Sequence, residues 1–331
     1  MAISSDTTML GVLRQHFDTR VRESEPLSRH GTFGVGGPAD AWVPLESEDD
    51  VLVLVRLARA HDWPLMIVGN GTNVLYADAG ARGIVARMVL NTWRLETVDD
   101  DHTLLIAGAG VSLPKLVNEL AKEALAGLEW GAGVPGTVGG AVVSNAGAGD
   151  ACVADTLKSA RVLFSDGEPV IRELSAAELG LSYRHSRFRA ARRVIFADDG
   201  LPIAAPRARI EPPEMIVGAS FLLRRDDLAA VQGHVRGHLD YRKRTQPVEK
   251  SAGSVFKNPP GDYSGRLIEA AGLRGTRHGN AQISPKHANF IVNNGGATAA
   301  DVVALIALAR RTVRERFGVE LELEVEPRGD W

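Results

Sequence analysis

Gly131-Ala132-Gly133-Val134-Pro135-Gly136-Thr137-Val138-Gly139-Gly140-Ala141-Val142-Val143-Ser144-Asn145-Ala146-Gly147-Ala148-Gly149 is the stretch on which the reading of this chain turns. Glycines at this density bring neither side-chain bulk nor helix propensity, so the backbone there performs a task that side chains would obstruct. An earlier run, Gly69-Asn70-Gly71-Thr72-Asn73-Val74, has the same character. Two such loops in one chain predict bare backbone N–H groups facing a phosphate-bearing ligand from two sides. A pair of ordinary tight turns is the alternative. Gly131-x-Gly133-x-x-Gly136 matches the dinucleotide fingerprint formally, but Pro135 lies inside it. Gly139-Gly140 also stand where a phosphate-binding helix should begin, so no Rossmann unit is expected. Neither loop ends in Gly-Lys-Ser/Thr, which argues against phosphoryl transfer.

Outward from these loops the pattern is mixed. Residues 47–63 read as a helix, capped by Ser47 and carrying Val51, Leu54, Val55 and Ala58 as an apolar stripe; Pro64 ends it. Leu65-Met66-Ile67-Val68 follow as a buried strand that runs into the first glycine loop. A second helix is expected from Ser112 to about Ala126, with Pro114 in its first turn. Asp166-Gly167 suits a tight hairpin turn. Arg189, Arg192 and Arg193 read as a solvated cluster, and the proline-punctuated residues 199–214 as a surface insertion. From about 225 an α/β texture returns. A helix reaches Arg244, a short helix lies near 267–271, a strand at 289–292 and a long amphipathic helix at 300–317. The alternating strand Leu321-Glu322-Leu323-Glu324-Val325-Glu326 closes the chain.

Composition bounds the rest. The 331 residues allow two or three domains with buried cores. A net charge of −3 gives no global pull toward nucleic acid or membrane. No run approaches the ~18 consecutive apolar residues of a membrane helix, and no secretory signal stands at the N-terminus. The single cysteine, Cys152, excludes an intramolecular disulfide and fits a reducing compartment, so a cytoplasmic protein is expected. His234 and His238 have metal-ligand spacing, but Arg236 lies between them and no glutamate takes the metalloprotease position. They read as surface histidines, and no metal is expected.

Four further pieces stand far apart: Tyr183-Arg184-His185-Ser186-Arg187-Phe188; Gly253-Ser254-Val255-Phe256-Lys257-Asn258-Pro259; Lys286-His287-Ala288-Asn289-Phe290-Ile291-Val292-Asn293; and Glu324. Singly each has a dull explanation, and Glu324 alternates with apolar neighbours as an exposed strand carboxylate would. Together with both glycine loops and Gly31-Thr32-Phe33-Gly34-Val35-Gly36-Gly37 they resemble the UDP-N-acetylenolpyruvoylglucosamine reductase (UDP-N-acetylmuramate dehydrogenase) family, flavoenzymes of peptidoglycan synthesis. The resemblance covers most of the chain. It is to the compact form that lacks an extra tyrosine-bearing loop.

The resemblance implies an α+β architecture. A two-subdomain FAD-binding fold of the vanillyl-alcohol-oxidase type (residues 1–90 and 91–224) would precede a C-terminal α/β substrate-binding domain (225–331). It implies non-covalent FAD, NADPH as co-substrate and reduction of UDP-N-acetylglucosamine enolpyruvate to UDP-N-acetylmuramate, with no nucleic-acid or membrane partner. Nothing fixes the oligomeric state; a monomer is the expectation. Hydride from NADPH would pass through FAD to the β-carbon of the enolpyruvyl ether. Charge then develops on the substrate carboxylate and the α-carbon must be protonated, which calls for a cation, a hydrogen-bond donor and a proton source. By the same resemblance Arg184 is the carboxylate-binding cation, Ser254 the general acid and Glu324 a proton-holding donor.

Residues 69–74 (Gly69, Asn70, Gly71, Thr72, Asn73, Val74) would hold the pyrophosphate. Gly133, Val134, Pro135, Gly136, Thr137, Gly139, Gly140, Ala141, Asn145 and Gly147 would wall the rest of the flavin. Tyr183, Lys257, Asn258, Lys286, His287 and the run Arg242-Lys243-Arg244 would serve the UDP-sugar. Two departures from the family stand out: Gly149-Asp150-Ala151-Cys152 after the Asn-Ala-Gly-Ala run, and Glu326 where an arginine is common, with Arg328 two further on. Two other readings remain open at this point. One is a flavin oxidase of the same superfold, with Cys152 or a histidine tethering FAD; the other is a nucleotide-sugar-binding protein without turnover.

Overall fold

The computed structural model describes residues 8–190, 194–196, 202–204 and 209–331. Helix α1 (Met9–Phe17) is capped by Thr8 and leads to β1 (Arg22–Pro26) and β2 (Pro38–Leu45). Helix α2 (Glu48–Ala60) begins where Ser47 Oγ accepts the Asp50 N–H at 3.0 Å, with Glu48, Asp49 and Asp50 favourably placed at its positive end. It stops before Pro64, and β3 (Leu65–Val68), β4 (Val74–Tyr76) and β5 (Ala81–Met88) follow. The first sheet runs β1-β2-β5-β3, with Ile210–Glu211 added beside β3. Pairs β2–β5 and β5–β3 are parallel, and β1 is antiparallel to β2. Every residue of β3 is buried: Leu65 and Ile67 enter one apolar cluster, Met66 and Val68 another. A continuous apolar run is what a strand covered on both faces requires.

The second sheet is antiparallel throughout. It contains β6 (Trp93–Thr97), β7 (His102–Gly108) and the strands Leu157–Phe164, Val170–Ser175 and Glu214–Arg225. Helix α3 (Leu113–Lys122) begins after Ser112 with Pro114 in its first turn, and buries Leu113, Leu116, Val117, Leu120 and Ala121. Three expectations change here. The Asp166-Gly167 hairpin forms, but with a five-residue connection, 165–169: Phe164 pairs with Val170, one residue off the register of a two-residue turn, and the Ser165 N–H donates to the Pro213 carbonyl. A helix, α4 (Val138–Ser144), does begin at the long glycine run, with Thr137 as its cap. It is preceded by a 3₁₀ turn (Glu129–Gly133) and not by a strand, so the fingerprint is still not a Rossmann unit. Third, part of the expected insertion 199–214 lies outside the described residues, but its end is no surface decoration. Ile210–Glu211 pairs in parallel with β3.

After the four-residue helix α5 (Arg187–Ala190), the chain enters α6 (Leu228–Thr245), α7 (Ser264–Ala270) and α8 (Ala299–Phe317). The last two pack with a three-stranded sheet (Arg277–His278, Ala281–Ile283, Ile291–Asn293) around a separate core that includes Phe256, Leu267, Ile283, Ile306 and Leu323. The predicted closing strand is shorter than expected. Only Glu326–Arg328 forms a ladder, parallel to β4, while 322–325 lie along residues 255–257 through an isolated bridge, Phe256 to Leu323. That return carries the C-terminal segment back to the first glycine loop.

Helix α8 is held from the same side. Besides its own Thr298/Asp301 capping box, the Ala299 and Ala300 N–H groups donate to the Asp78 carboxylate at 2.7 and 2.9 Å. Asp78→Ala is expected to cost about 1–2 kcal/mol, read as a lowered denaturation midpoint with unchanged m-value. An unchanged midpoint would show that the tether contributes nothing.

Candidate active site

One cleft, with ≈ 1550 Å³ of atom-free space including its open mouth, is walled by residues 69–74 on one side and by Val134–Thr137, Gly139, Gly140 and Ala141 on another. The two glycine loops touch. Thr72 Oγ1 donates to the Pro135 carbonyl at 3.2 Å, and a Cβ on Gly69 would lie 2.9 Å from Thr137 Oγ1. Asn70, Gly71, Thr72 and Asn73 all line the cleft, and their backbone N–H groups have no hydrogen-bond acceptor among the described residues. A row of unpaired amides on a glycine-rich loop is the donor set an anionic diphosphate satisfies. By contrast, the first-turn N–H groups of α4 are spent on Val111, Ala109 and Thr137. The loop 69–74, not that helix terminus, therefore offers the free amides that an anion would need.

Arg87 braces this loop, donating from Nη2 to Asn70 Oδ1 at 2.6 Å. Gly71 has φ +62°, and a Cβ there would sit 2.1 Å from the His30 carbonyl oxygen. Gly71→Ala is therefore expected to weaken FAD binding at least about tenfold, ~1.4 kcal/mol, in a fluorescence titration of flavin-stripped protein. Unaltered affinity would remove the loop from the cofactor site.

The catalytic candidates come together beside that loop, where Asn73 Nδ2 donates to the Glu324 carbonyl at 2.8 Å. Arg184 sits in a tight Ser182–His185 turn with φ +51°, a left-handed conformation costly for a side-chain-bearing residue. Its Nε donates to Glu324 Oε1 at 2.8 Å and its Nη2 to the Gly147 carbonyl at 2.8 Å. Glu324 is not the exposed strand carboxylate that alternation suggested: only 18% of its side chain is exposed, into the cleft. Burial raises its carboxyl above the usual range, against the pull of Arg184, Arg189 and Lys257. The Glu324 N–H donates to the Val255 carbonyl at 2.8 Å, which sets Ser254, also in the cleft wall, in the adjoining segment. Glu322 turns outward to an ion pair with Lys257, and Glu326 turns inward to Arg328 Nη2 at 2.7 Å.

Other predicted residues stand differently. Asn145 is the left-handed C-cap of α4; its amide donates to the Ser182 carbonyl at 2.8 Å and its oxygen accepts from Ala154 N–H at 3.0 Å. It braces the Arg184 turn and does not line the cleft. Nor does Gly133, whose carbonyl accepts from Arg242. Gly147 and Val74 do line it. Of the basic run, Arg242 reaches the cleft, while Lys243 and Arg244 are exposed. Tyr183, Lys257, Asn258, Lys286 and His287 are not in the cleft wall. Lys257 is paired with Glu322 and Lys286 donates to the Lys243 carbonyl, while burial lowers the proton affinity of His287.

Arg189, read as solvated, is 8% exposed and donates to the Glu324 carbonyl oxygen; Arg192 and Arg193 lie outside the described residues. Gln246, Phe290, Met215, Ile216 and Arg328 line the cleft without having been singled out for it; only the i,i+4 spacing of Arg242 and Gln246 at a helix end was a usable signal. Cys152 pairs across from Gly147 and is not in the wall, which lends a covalent flavin tether no support. His234 lies 3.9 Å from Glu129, and the described residues hold no metal-ligand cluster. Among them, no helix is long and apolar enough to cross a membrane.

Comparison with known proteins agrees with this geometry. Residues 39–171 match the family model described as FAD binding domain, and residues 246–327 the one described as UDP-N-acetylenolpyruvoylglucosamine reductase, C-terminal domain. The chain is 42% identical over 308 residues to UDP-N-acetylenolpyruvoylglucosamine reductase 2 of Symbiobacterium thermophilum, spanning 93% of this chain and 92% of that protein. It is 40% identical over 325 residues to the Moorella thermoacetica UDP-N-acetylenolpyruvoylglucosamine reductase, 98% of each. The crystal structure of UDP-N-acetylenolpyruvylglucosamine reductase from Thermus caldophilus superposes with a TM-score of 0.71 at 35% identity, over 93% of this chain and 99% of that one. With an FAD-binding domain, a reductase-type C-terminal domain and relatives of this identity along nearly its whole length, the chain belongs to the UDP-N-acetylenolpyruvoylglucosamine reductase family.

Proposed function

We propose that this protein catalyses the NADPH-dependent, FAD-mediated reduction of UDP-N-acetylglucosamine enolpyruvate to UDP-N-acetylmuramate, in the cytoplasm, as a step in peptidoglycan precursor synthesis. The observation that carries the reading is the meeting of Arg184, Glu324 and the Ser254 segment in a cleft that is also walled by the amide-lined loop 69–74. Bound FAD supplies the hydride relay from NADPH to the vinyl ether. The chain's own residues do the rest. Backbone amides of 70–73 take the diphosphate, and Met215, Ile216 and Val134 offer apolar wall beside it. Arg184 presents a cation to the substrate carboxylate. Glu324, with its raised proton affinity, holds a proton and donates a hydrogen bond to the developing enolate. Ser254 Oγ hands its proton to the α-carbon, which is basic enough in that state to accept it from a hydroxyl.

We read residues 1–90 and 91–224 as the two FAD-binding subdomains and 225–331 as the substrate domain; Ile210–Glu211 joins the first sheet from the far side of that boundary. Tyr183 and Asn258, which meet through the Asn258 N–H and Tyr183 Oη at 3.4 Å, neighbour the cleft residues Arg184 and Ser254 in sequence and would serve the UDP-sugar. The test is an anaerobic titration followed by visible absorption. The flavin band should bleach on addition of NADPH and return on addition of UDP-N-acetylglucosamine enolpyruvate. Bleaching without return would leave a flavoprotein and remove the substrate.

A further inference from the structure

The geometry points to Arg189 as a positioning residue: together with Asn73 it clamps the main-chain carbonyl of Glu324 and so sets where the Glu324 carboxyl stands. The inference rests on the proposed reaction. Arg189 is 8% exposed, its Nη2 donates to the Glu324 carbonyl oxygen, and its Nη1 is buried with no partner among the described residues. Burying a guanidinium and leaving one of its nitrogens unpaired works against stability. The one acceptor its guanidinium reaches among the described residues is that carbonyl.

The same oxygen accepts from Asn73 Nδ2 at 2.8 Å, so both of its lone-pair directions are used. On the other side of the residue, the Glu324 N–H is held by the Val255 carbonyl. The Glu326 N–H in turn donates to the Asn73 carbonyl at 2.9 Å. Glu324 is thus fixed by three segments at once: the 69–74 loop through Asn73, the Arg184 motif through Arg189 and the Ser254 loop through Val255. Its carboxyl meets Arg184 directly and lies within the fields of Arg189 and Lys257. A displacement of about 1 Å at such a group costs on the order of 10²-fold in rate.

The experiment is stopped-flow measurement of both half-reactions on FAD-loaded wild type, Arg189→Met and Arg189→Lys. For Arg189→Met, reoxidation by UDP-N-acetylglucosamine enolpyruvate should slow by roughly 10- to 100-fold. Flavin content and the rate of bleaching by NADPH should be unchanged. Arg189→Lys, which keeps a donor and a charge, should recover most of the loss. If Arg189→Met does not fold, Arg189→Gln takes its place, with the same loss confined to reoxidation expected. Equal losses in both half-reactions, reduced flavin content or no loss at all would overturn it. A wild-type flavin that never returns on adding the enolpyruvyl substrate would instead overturn the proposed reaction.

Discussion

Ser254→Ala protein should purify yellow, bleach with NADPH at the wild-type rate, and then fail to recover its colour when the enolpyruvyl substrate is added, with reoxidation slowed on the order of 10²–10³-fold or more. The argument is one of access and chemistry. Ser254 is in the cleft wall, in the segment whose next carbonyl receives the Glu324 N–H. Deleting its oxygen removes no packed volume from a core, since the side chain is only half-buried at the cleft surface. In the proposed reading the flavin is held by residues 69–74 and 134–141, a set that does not include Ser254. The two half-reactions therefore separate: hydride entry needs that set, and protonation of the α-carbon needs the hydroxyl. Transient-state absorption in the variant decides the matter. A Ser254→Ala enzyme that turns over normally sinks the assignment, and one that no longer bleaches makes Ser254 structural.

The second large effect concerns Glu324→Gln, and it runs in opposite directions for rate and stability. Glutamine keeps an oxygen for Arg184 but has no proton of carboxylic acidity, so reoxidation should again fall by about 10²–10³-fold. Stability is a question of sign. Burial raises the carboxyl in the folded protein above its unfolded value. The contribution of such a group is fully present below the ordinary carboxylate range and is lost as pH rises through the raised folded value. At neutral pH the wild type therefore carries a penalty that the neutral glutamine lacks. Glu324→Gln should melt at the same temperature or higher at pH 7, with the difference closing below about pH 4. The variant's reoxidation rate should also lose the fall on the alkaline side that a protonated Glu324 imposes on wild type. A lower melting temperature at pH 7 would mean that the 2.8 Å contact with Arg184 outweighs desolvation and that Glu324 rests ionised.

How much of this was legible beforehand depends on how far apart the cooperating residues lie. The α2 helix, its Ser47 cap and its stop before Pro64 are written in consecutive residues, and β3 announces itself as four apolar residues running into a glycine loop. That the 69–74 loop would present unpaired amides was equally plain, because this needs only glycine and short polar side chains in a row. The hairpin around Asp166-Gly167 was legible, but its tight turn was not what formed, since Ser165 bonds to the distant Pro213 carbonyl and not across the hairpin. The end of the proline-punctuated segment, Ile210–Glu211, looked like decoration because a two-residue strand has no periodicity to detect, yet it completes the first sheet. Arg189 looked like one more surface cation, and nothing within its own segment signals that it is 8% exposed against the Glu324 carbonyl.

The C-terminal carboxylates mark the boundary most clearly. By its order of residues alone, the chain determined two glycine loops, their capped helices and buried strands, and a tail in which Glu322, Glu324 and Glu326 alternate alike. Which of the three could do chemistry was decided only by tertiary structure. Lys257, 65 residues away in sequence, holds the exposed Glu322 outside the cleft wall; Arg184, 140 residues away, meets Glu324 in the cleft; Glu326, in the same wall, is buried against Arg328. The proton affinity of a carboxylate depends on the water it has lost and the charges it faces. Both are properties of the folded neighbourhood, and the local alternation of residues does not carry them.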